Sequence, residues 1–319
     1  MTLRDFRRFP LKKLRRWRVP VCGNLLVRAF ARLDQNGLLS DLCADPQLLY
    51  ERWWPYRLLR RKFLQAHAPL VSVVVATRNN EATIERSLRS LTKQTLSHLE
   101  IIVVDDASTD NSVRIIRTLA LSDRRIRIIE NRRQMGTGAS RNRGLQAATG
   151  DYVTFQDGDD FSAPSRLEMQ HDAFKKFPNK MLVLCNYVRV NDRGVRLVIN
   201  DRRVMKCIIS MMFPRKEVLE KVGYFLESSL SEDADFYERI KIAFGEGCEY
   251  IVFRTLYEAL FREESSFFSE VEIHEATNNA IKFTRKPQAK VSWQAMCARH
   301  AKMRRGELEV YVSPPPIPN

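Results

Sequence analysis

The chain has 319 residues, of which 44% are hydrophobic, and a formal net charge of +15. This length and composition exclude disorder throughout and predict one large domain, or two smaller ones, with a buried core. The six cysteines are scattered, without a C-x-x-C pair or a Cys/His cluster, so they indicate thiols in a reducing compartment rather than a zinc site. No apolar run is long enough to span a membrane, and no signal peptide is evident. We expect a cytoplasmic protein, or one bound peripherally to the cytoplasmic face of the inner membrane.

The positive charge is concentrated at the two ends of the chain. Residues 1–20 contain eight basic residues and one acidic residue, and residues 281–319 contain eight basic and two acidic residues. From Leu3 to Trp17, apolar residues recur among the basic ones at the spacing of an amphipathic helix. This segment could bind an anionic membrane surface, or it could be an arm that is disordered or packed on the main domain. Nucleic acid is not an expected partner, because no DNA-binding or RNA-binding module accompanies the charge.

Residues 1–68 are predicted to form a basic helical extension, after which the pattern changes. The run VSVVVA, starting at Val71, is typical of a strand buried on both faces. Ile84, Leu88 and Leu91 then lie on one helical stripe. The strand LEIIVVD, the helix NSVRIIRTLA and the strand RIRIIE follow in turn. This alternation predicts an α/β fold with a mixed, mostly parallel sheet and helices on both faces.

Polar motifs follow three of the predicted strands: TRNN, DDASTD and QDGDD. Because ligands bind at the carboxyl ends of the strands in such a sheet, we expect the three motifs to face one pocket. The third motif places Asp157, Asp159 and Asp160 within four positions, where like charges raise one another's pKa unless a cation intervenes. A divalent cation and a solvated turn are both compatible with this cluster. Asp105 and Asp106, in the second motif, could equally cap the following helix.

Four blocks together resemble a known family: VSVVVATRNN, IIVVDDASTD, ASRNRGLQAATGDYVTFQDGDD and SEDADFYERI. Their order and spacing are similar to those of the family 2 glycosyltransferases, which have the Rossmann-like GT-A fold. The resemblance covers residues 69–268 as a GT-A domain and leaves 269–319 as a basic C-terminal extension with a Pro-rich tail. It implies an inverting hexosyltransferase of bacterial surface-polysaccharide synthesis. The donor would be a nucleotide-sugar, in particular a UDP-sugar, the acceptor a saccharide or a lipid-linked molecule, and the cofactor Mg²⁺ or Mn²⁺.

The resemblance also implies roles for individual residues. Asp106 would meet the base, Arg141 the ribose or diphosphate, and Gly158 would allow a tight turn. The residues implied to bind the nucleotide-sugar are Ala76, Thr77, Arg78, Asp105, Asp106, Arg141, Asp157, Gly158 and Asp159. The implied metal ligands are Asp159, Asp160 and Glu264.

An inverting transfer needs a general base that takes the proton of the acceptor hydroxyl. In the block SEDADFYERI the resemblance implies that Asp233 is this base and that Glu232 is its neighbour in the catalytic site. A structural interpretation is also open, because Ser231 is a suitable N-cap and acids are favoured in the first turn of a helix.

The sequence departs from the family pattern at two positions. Arg78 stands where many relatives have a tyrosine, and an arginine plane can still stack on a base. Glu264 stands near the place of a histidine that touches metal or diphosphate, and glutamate can ligate a hard cation. Two other functions stay open: a nucleotidyltransferase of related fold, which the lack of a Gly-rich loop after the first strand disfavours, and a non-catalytic, membrane-associated GT-A scaffold.

Overall fold

The computed structural model describes residues 71–227, 231–262, 270–277 and 279–316. The predicted N-terminal extension, including the candidate membrane-binding segment at residues 1–20, lies outside the described residues. The same is true of Glu264, so its predicted metal ligation stays a prediction.

The first half of the described chain alternates strands with helices, as the sequence predicts. Its elements are β1 (Val71–Thr77), α1 (Ile84–Thr92), β2 (Leu99–Asp105), α2 (Ser112–Ser122), β3 (Ile126–Glu130), α3 (Thr137–Ala147) and β4 (Tyr152–Asp157). The four strands pair in parallel in the order β3-β2-β1-β4. All seven residues of β1 and of β2 are buried, which their continuous apolar sequence requires of central strands.

Helices cover both faces of this parallel part. On one face Ile84, Leu88 and Leu91 of α1 are fully buried in the same cluster as Val73. On the other face Leu145 of α3 packs in a cluster with the next residue of β1, Val74. The prediction of an α/β sheet with helices on both faces is therefore confirmed.

The second half of the chain extends the sheet with strands of both directions. Its elements are β5 (Phe161–Ser162), α4 (Arg166–Lys176), β6 (Leu182–Val190), β7 (Arg196–Ile199), β8 (Met205–Pro214), α5 (Arg215–Lys221), α6 (Glu232–Phe244), a 3₁₀ turn (Glu246–Cys248), β9 (Glu249–Leu260), β10 (Val271–Ala276), β11 (Ala280–Arg285) and α7 (Pro287–Arg304). β8 joins this part antiparallel to β4, and the complete order is β10-β11-β7-β6-β8-β4-β1-β2-β3, with β9 pairing β5 and β6. Within the described ranges, no helix is both long and apolar enough to cross a membrane.

Candidate active site

The carboxyl ends of three parallel strands lie side by side. Thr77, the last residue of β1, is opposite Asp105 of β2, and Ala76 is opposite Asp157 of β4. The motifs that follow these strands therefore emerge at one edge of the sheet, which is where an open α/β sheet forms its binding crevice.

The loops after β1 and β2 are tied to each other by Asn79. Its backbone N–H donates to Ser108 Oγ at 2.9 Å, and its side-chain Oδ1 accepts the N–H of Thr109 at 2.9 Å. Asn79 and Ala107 have left-handed backbones, with φ of 50° and 56°. The side chain of Arg78, predicted to stack on a base, is exposed beside these loops.

Asp105 and Asp106 hold two different loops, and neither caps α2. The Asp105 carboxylate accepts hydrogen bonds from Ser108, namely from its N–H at 2.9 Å and its hydroxyl at 2.5 Å. The buried Asp106 carboxylate accepts bonds from the Asn131 amide and from the backbone N–H of Met135 and Gly136, at 2.6 to 2.8 Å. The capping alternative fails for this pair.

The start of α2 is bound instead by Asp110, whose carboxylate accepts the Ser112 N–H at 2.9 Å. Asp106 therefore shapes the turn that leads into α3, and its predicted contact with a base stays a prediction.

Arg141 joins the end of β4 to the start of α6. Its Nη2 donates to Asp157 Oδ1 at 2.8 Å, and its Nη1 donates to Glu232 Oε1 at 2.9 Å. The Arg141 side chain is only 4% exposed. A planar guanidinium suits this task because it can serve two carboxylates at fixed angles.

Burial and neighbouring charges shift the pKa values of Arg141 and Glu232. Burial alone would lower the pKa of Arg141, but the carboxylates of Asp157 and Glu232 together raise it. Burial raises the pKa of Glu232, with a further contribution from Asp233, while Arg141 opposes the rise. Arg141 thus stays charged at the centre of the site.

The Asp160 carboxylate is buried under the site. Its Oδ2 accepts the Tyr257 hydroxyl proton at 2.7 Å, and its Oδ1 accepts the Leu260 N–H at 2.9 Å. Burial, followed by repulsion from Asp159 and Asp157, raises the pKa of Asp160 well above its ordinary value. The Tyr257 oxygen also accepts the N–H of Asp157 at 3.2 Å, so β9 supports the whole turn.

Among the three acids of the turn, the Asp159 carboxylate is less exposed than that of Asp157 and more exposed than that of Asp160. Its Oδ2 lies 3.0 Å from Arg262 Nη2, and the same guanidinium donates to Asn80 Oδ1 at 2.5 Å. Burial and the neighbouring charge of Asp157 raise the pKa of Asp159. Three acids within four positions are therefore held by protein donors: Arg141 for Asp157, Arg262 for Asp159 and Tyr257 for Asp160.

Gly158 is required for space rather than for an unusual φ angle. A Cβ at this position would lie 2.4 Å from Thr77 Oγ1 and 2.8 Å from Asn80 Nδ2. Its backbone N–H donates to Ala76 O at 3.1 Å, which holds the turn against the end of β1. The sequence predicted a glycine here for a tight turn. In the structure glycine is needed because two strands approach each other closely.

The carboxylates of the turn fit a hard divalent cation in their chemistry. Among the described residues, no group of three or more His, Cys, Asp or Glu side chains is arranged to hold a metal ion. Mg²⁺ usually takes one or two carboxylates and completes its shell with phosphates and water. Asp159 suits this better than Asp160, because both oxygens of Asp160 already accept protein hydrogen bonds.

The predicted base lies in the first turn of α6. Asp233 is partly exposed, and its Oδ1 accepts the N–H of Ala234 at 2.8 Å. Ser231 occupies the N-cap position with a left-handed φ of 56° and makes no side-chain capping bond. The hydrogen bonds of Arg141 to Glu232 and to Asp157 place this turn beside the strand-end acids.

Several residues of the site were missed by the sequence analysis. Asn131 directly follows β3, so the strand-end rule could have found it. Tyr257 lacks such a signal, because its partner Asp160 lies on a distant segment. Asn80 belongs to the predicted motif TRNN but was given no role, and in the structure its side-chain oxygen accepts a hydrogen bond from Arg262. The sequence assigns no role to Arg262, which in the structure pairs with Asp159, 103 positions away, since the ion pair joins residues 159 and 262.

An open α/β sheet with polar residues at the ends of its parallel strands belongs to the class of doubly wound folds that bind ligands in a crevice beyond those ends. Within that class, the sequence model described as Glycosyl transferase family 2 matches residues 72–261. The chain belongs to this family, and the predicted membership is confirmed.

Curated relatives agree with this assignment. One is the uncharacterized glycosyltransferase MJ1057 of Methanocaldococcus jannaschii, which is 41% identical over 189 residues, covering 54% of this chain and 64% of the relative. Another is the UDP-Glc:alpha-D-GlcNAc-diphosphoundecaprenol beta-1,3-glucosyltransferase WfgD of Escherichia coli, 35% identical over 126 residues, or 40% of this chain and 49% of the relative. The chain spans less than two thirds of the length of the curated relatives that it matches.

Solved structures confirm the GT-A fold. TarS of S. aureus, residues 1–349 in complex with UDP-GlcNAc, is 24% identical and superposes with a TM-score of 0.52. This superposition covers 62% of this chain and 60% of that one.

Proposed function

We propose that the protein is an inverting glycosyltransferase that moves a sugar from a UDP-sugar to a saccharide or lipid-linked acceptor in surface-polysaccharide synthesis. One observation carries the proposal: Arg141 holds Asp157 at the end of β4 and Glu232 at the start of α6. The acids of the donor side and the candidate base Asp233 therefore share one small volume. Such proximity is what direct transfer between a bound donor and a bound acceptor needs.

Family membership and the name of WfgD support the choice of substrates. That relative is named for a UDP-Glc donor and a diphosphoundecaprenol-linked acceptor. The donor would bind over the loops after β1, β2 and β4, with Arg78 and Asp106 near the base and Asp157 and Asp159 near the ribose and diphosphate. The carboxyl edge of the sheet supports this placement.

Asp159 would hold Mg²⁺ or Mn²⁺ together with the phosphates of the donor, and Glu264, outside the described residues, is a further candidate ligand. When bound, such a cation neutralises charge that develops on the departing nucleoside diphosphate. Arg262 lies against Asp159, so its positive charge borders the same position. Asp160, Tyr257 and Gly158 keep the backbone of the turn in place underneath.

Asp233 would accept the proton of the acceptor hydroxyl as it attacks the sugar carbon. The bond from the Ala234 N–H orients its carboxylate and leaves it partly exposed to solvent and acceptor. Glu232 is less suited to this task, because its carboxylate is held in the ion pair with Arg141. A single base and one displacement correspond to inversion at the sugar carbon.

The first experiment compares Asp233→Asn with the wild type. A general base contributes about 10²- to 10⁴-fold, so we expect transfer to fall by at least about 100-fold in Asp233→Asn. Glu238→Gln, an acid on the same helix that pairs with Arg304, is the matched control and should transfer at the wild-type rate. Transfer by Asp233→Asn at the control rate would refute the assignment of the base.

The donor is identified by thermal stabilisation with a panel of nucleotide-sugars in the presence of Mn²⁺, since a ligand of the folded state raises its midpoint. A UDP-sugar should stabilise both the wild type and Asp233→Asn. The reaction products separate the rival enzyme class: a glycosyltransferase releases a nucleoside diphosphate, whereas a nucleotidyltransferase releases pyrophosphate. A non-catalytic scaffold would release neither.

A further inference from the structure

The C-terminal segment, residues 287–316, is hydrogen-bonded to the backbone that leads to α6. The Val312 N–H donates to Val222 O at 3.0 Å, and the Tyr224 N–H donates to Val312 O at 3.0 Å. Gly223, between these two residues, has φ of +76°, and a Cβ there would lie 1.9 Å from Val312 O. Gly223 therefore leaves the room that this segment needs.

A second set of contacts links the same segment to α6 itself. His300 of α7 lies with its Nε2 2.9 Å from Asp235 Oδ1, and both side chains are buried. Nε2 must carry the proton in this bond, because an ionised carboxylate only accepts. The other oxygen of Asp235 pairs with Arg239 Nε at 2.7 Å.

Arg239 links these two sets of contacts. Its side chain is fully buried and donates to Val222 O at 2.8 Å and to Tyr224 O at 2.6 Å. Residues 222–224 are thus held by the C-terminal segment on one side and by α6 on the other.

The next residue, Phe225, is fixed from a third direction. Its N–H donates to the Asn142 side-chain oxygen at 2.8 Å, and its carbonyl accepts the Asn142 amide at 3.0 Å. Asn142 is next to Arg141 on α3, so the backbone before α6 and the Arg141 ion pairs depend on the same helix. These contacts leave the first turn of α6 little freedom to move relative to the strand ends.

We propose that His300 and Val312 are positioning residues for the transfer reaction: they hold the first turn of α6, and with it Asp233, at the correct distance from the bound donor. The proposal rests on the proposed function, in which Asp233 is the base. Asp235 lies two residues after Asp233, so a shift of its partner His300 is transmitted directly to the base. Through His300 and Val312, the C-terminal segment then supports the reaction without touching the substrate.

The test compares three variants of α7 with the wild type by steady-state kinetics and donor binding. His300→Ala removes the buried partner of Asp235 and should lower kcat about 10- to 100-fold, because a displacement of about 1 Å can cost about 100-fold. The donor KM and the stabilisation by UDP-sugar should stay at the wild-type values, since the donor side of the site is untouched. His300→Gln can place an amide N–H where Nε2 lies and should recover most of kcat.

Arg304→Ala is the matched control. Arg304 also connects α7 to α6, through Glu238 at 2.8 Å, but its side chain is 46% exposed. Its loss should leave kcat unchanged, since exposed ion pairs contribute little. If His300 only docks α7 on α6, His300→Ala and His300→Gln should have the same kcat once both are shown to be folded.

A second variant keeps the proposal testable if His300→Ala does not fold. Val312→Pro removes the N–H that donates to Val222 and should also lower kcat with donor binding retained. A wild-type kcat in folded His300→Ala or in folded Val312→Pro would overturn the proposal. A loss of donor binding as large as the loss of kcat would also overturn it. The wild-type rate tests the proposed function, whereas the ratio of variant to wild-type rates tests this inference, so the two failures are distinguishable.

Discussion

Arg141 serves two carboxylates that come from opposite sides of the candidate site. Replacing it by Met preserves much of the side-chain volume and leaves Asp157 and Glu232 without their cation. Breaking a buried pair by removing one partner costs about 3–5 kcal/mol. We therefore expect Arg141→Met to lose about this much free energy of unfolding in urea titrations, and Arg141→Lys, which keeps the charge without the planar fork, to lose less.

The control for Arg141 is Arg117→Met on α2. Arg117 pairs with Glu130 at 2.6 Å, but its side chain is 62% exposed, so its removal should change stability by less than about 1 kcal/mol. Equal stability of the Arg141 and Arg117 variants would show that the two buried ion pairs contribute nothing net.

Gly158 supports a second prediction, because its neighbours leave no room for a methyl group. Gly158→Ala would place Cβ 2.7 Å from Thr77 Cβ, so the turn or β1 must shift. Overpacking of this kind costs about 1–3 kcal/mol. Gly247→Ala is the control, since nothing lies within 4 Å of the added Cβ, and it should be neutral or slightly stabilising. Thermal unfolding of both variants measures the difference.

α4 carries a buried acid whose protonation should make stability depend on pH. Burial, with a smaller contribution from Asp172, raises the pKa of Glu168 to about 8. The folded state therefore holds a proton that the unfolded state, with a pKa near 4.5, has already released. Stability from this group is present at low pH and is lost as pH rises toward 8.

His171 on the same helix acts in the opposite direction, but only below about pH 6.5. Burial lowers its pKa to about 4 from 6.5, so its effect is complete above pH 6.5. Between pH 6.5 and 8 the wild type should lose about 2 kcal/mol of unfolding free energy through Glu168, and Glu168→Gln should lose much less over this range. The amide oxygen of Gln can still accept the Thr95 hydroxyl, which donates at 2.8 Å. Glu220→Gln, an exposed acid on α5, should reproduce the wild-type curve.

The elements of the parallel half could be predicted from the sequence because each has a local pattern. The stripe of Ile84, Leu88 and Leu91 and the apolar strands β1 and β2 appear as predicted, all of them buried. α3 lies tightly on β1 at Gly144, where a Cβ would lie 2.2 Å from Val74 Cγ1. The strands from β6 onward were not assigned, since their pairing depends on distant partners and their burial pattern is uneven.

At the level of the whole molecule, sequence placed the acids of the site on the right edge of the sheet, because strand order and chain direction decide where strand ends lie. The sequence did not reveal which basic side chain pairs with each acid. Arg141 and Glu232 are 91 positions apart, and no local spacing relates them. Such pairs are decided by the packing of α3 against the backbone before α6.

The overall charge of +15 leads to the last prediction, because it is distributed unevenly. Several basic residues near the C-terminus are locally offset: Arg304 pairs with Glu238, Arg305 with Glu307 and Lys282 with Glu275. Residues 1–20 carry eight basic residues against one acid, so we expect them to dominate binding to an anionic membrane. Each basic residue near such a surface contributes about 1 kcal/mol.

We expect the full chain to sediment with vesicles that contain phosphatidylserine, and a variant lacking residues 1–20 to stay in the supernatant. Binding should weaken as salt rises, because the screening length falls from about 10 Å at 0.1 M to about 3 Å at 1 M. Vesicles of phosphatidylcholine alone are the control and should bind neither form. Retention of the truncated chain on anionic vesicles would assign the interaction to another surface, and equal binding to neutral vesicles would exclude an electrostatic origin.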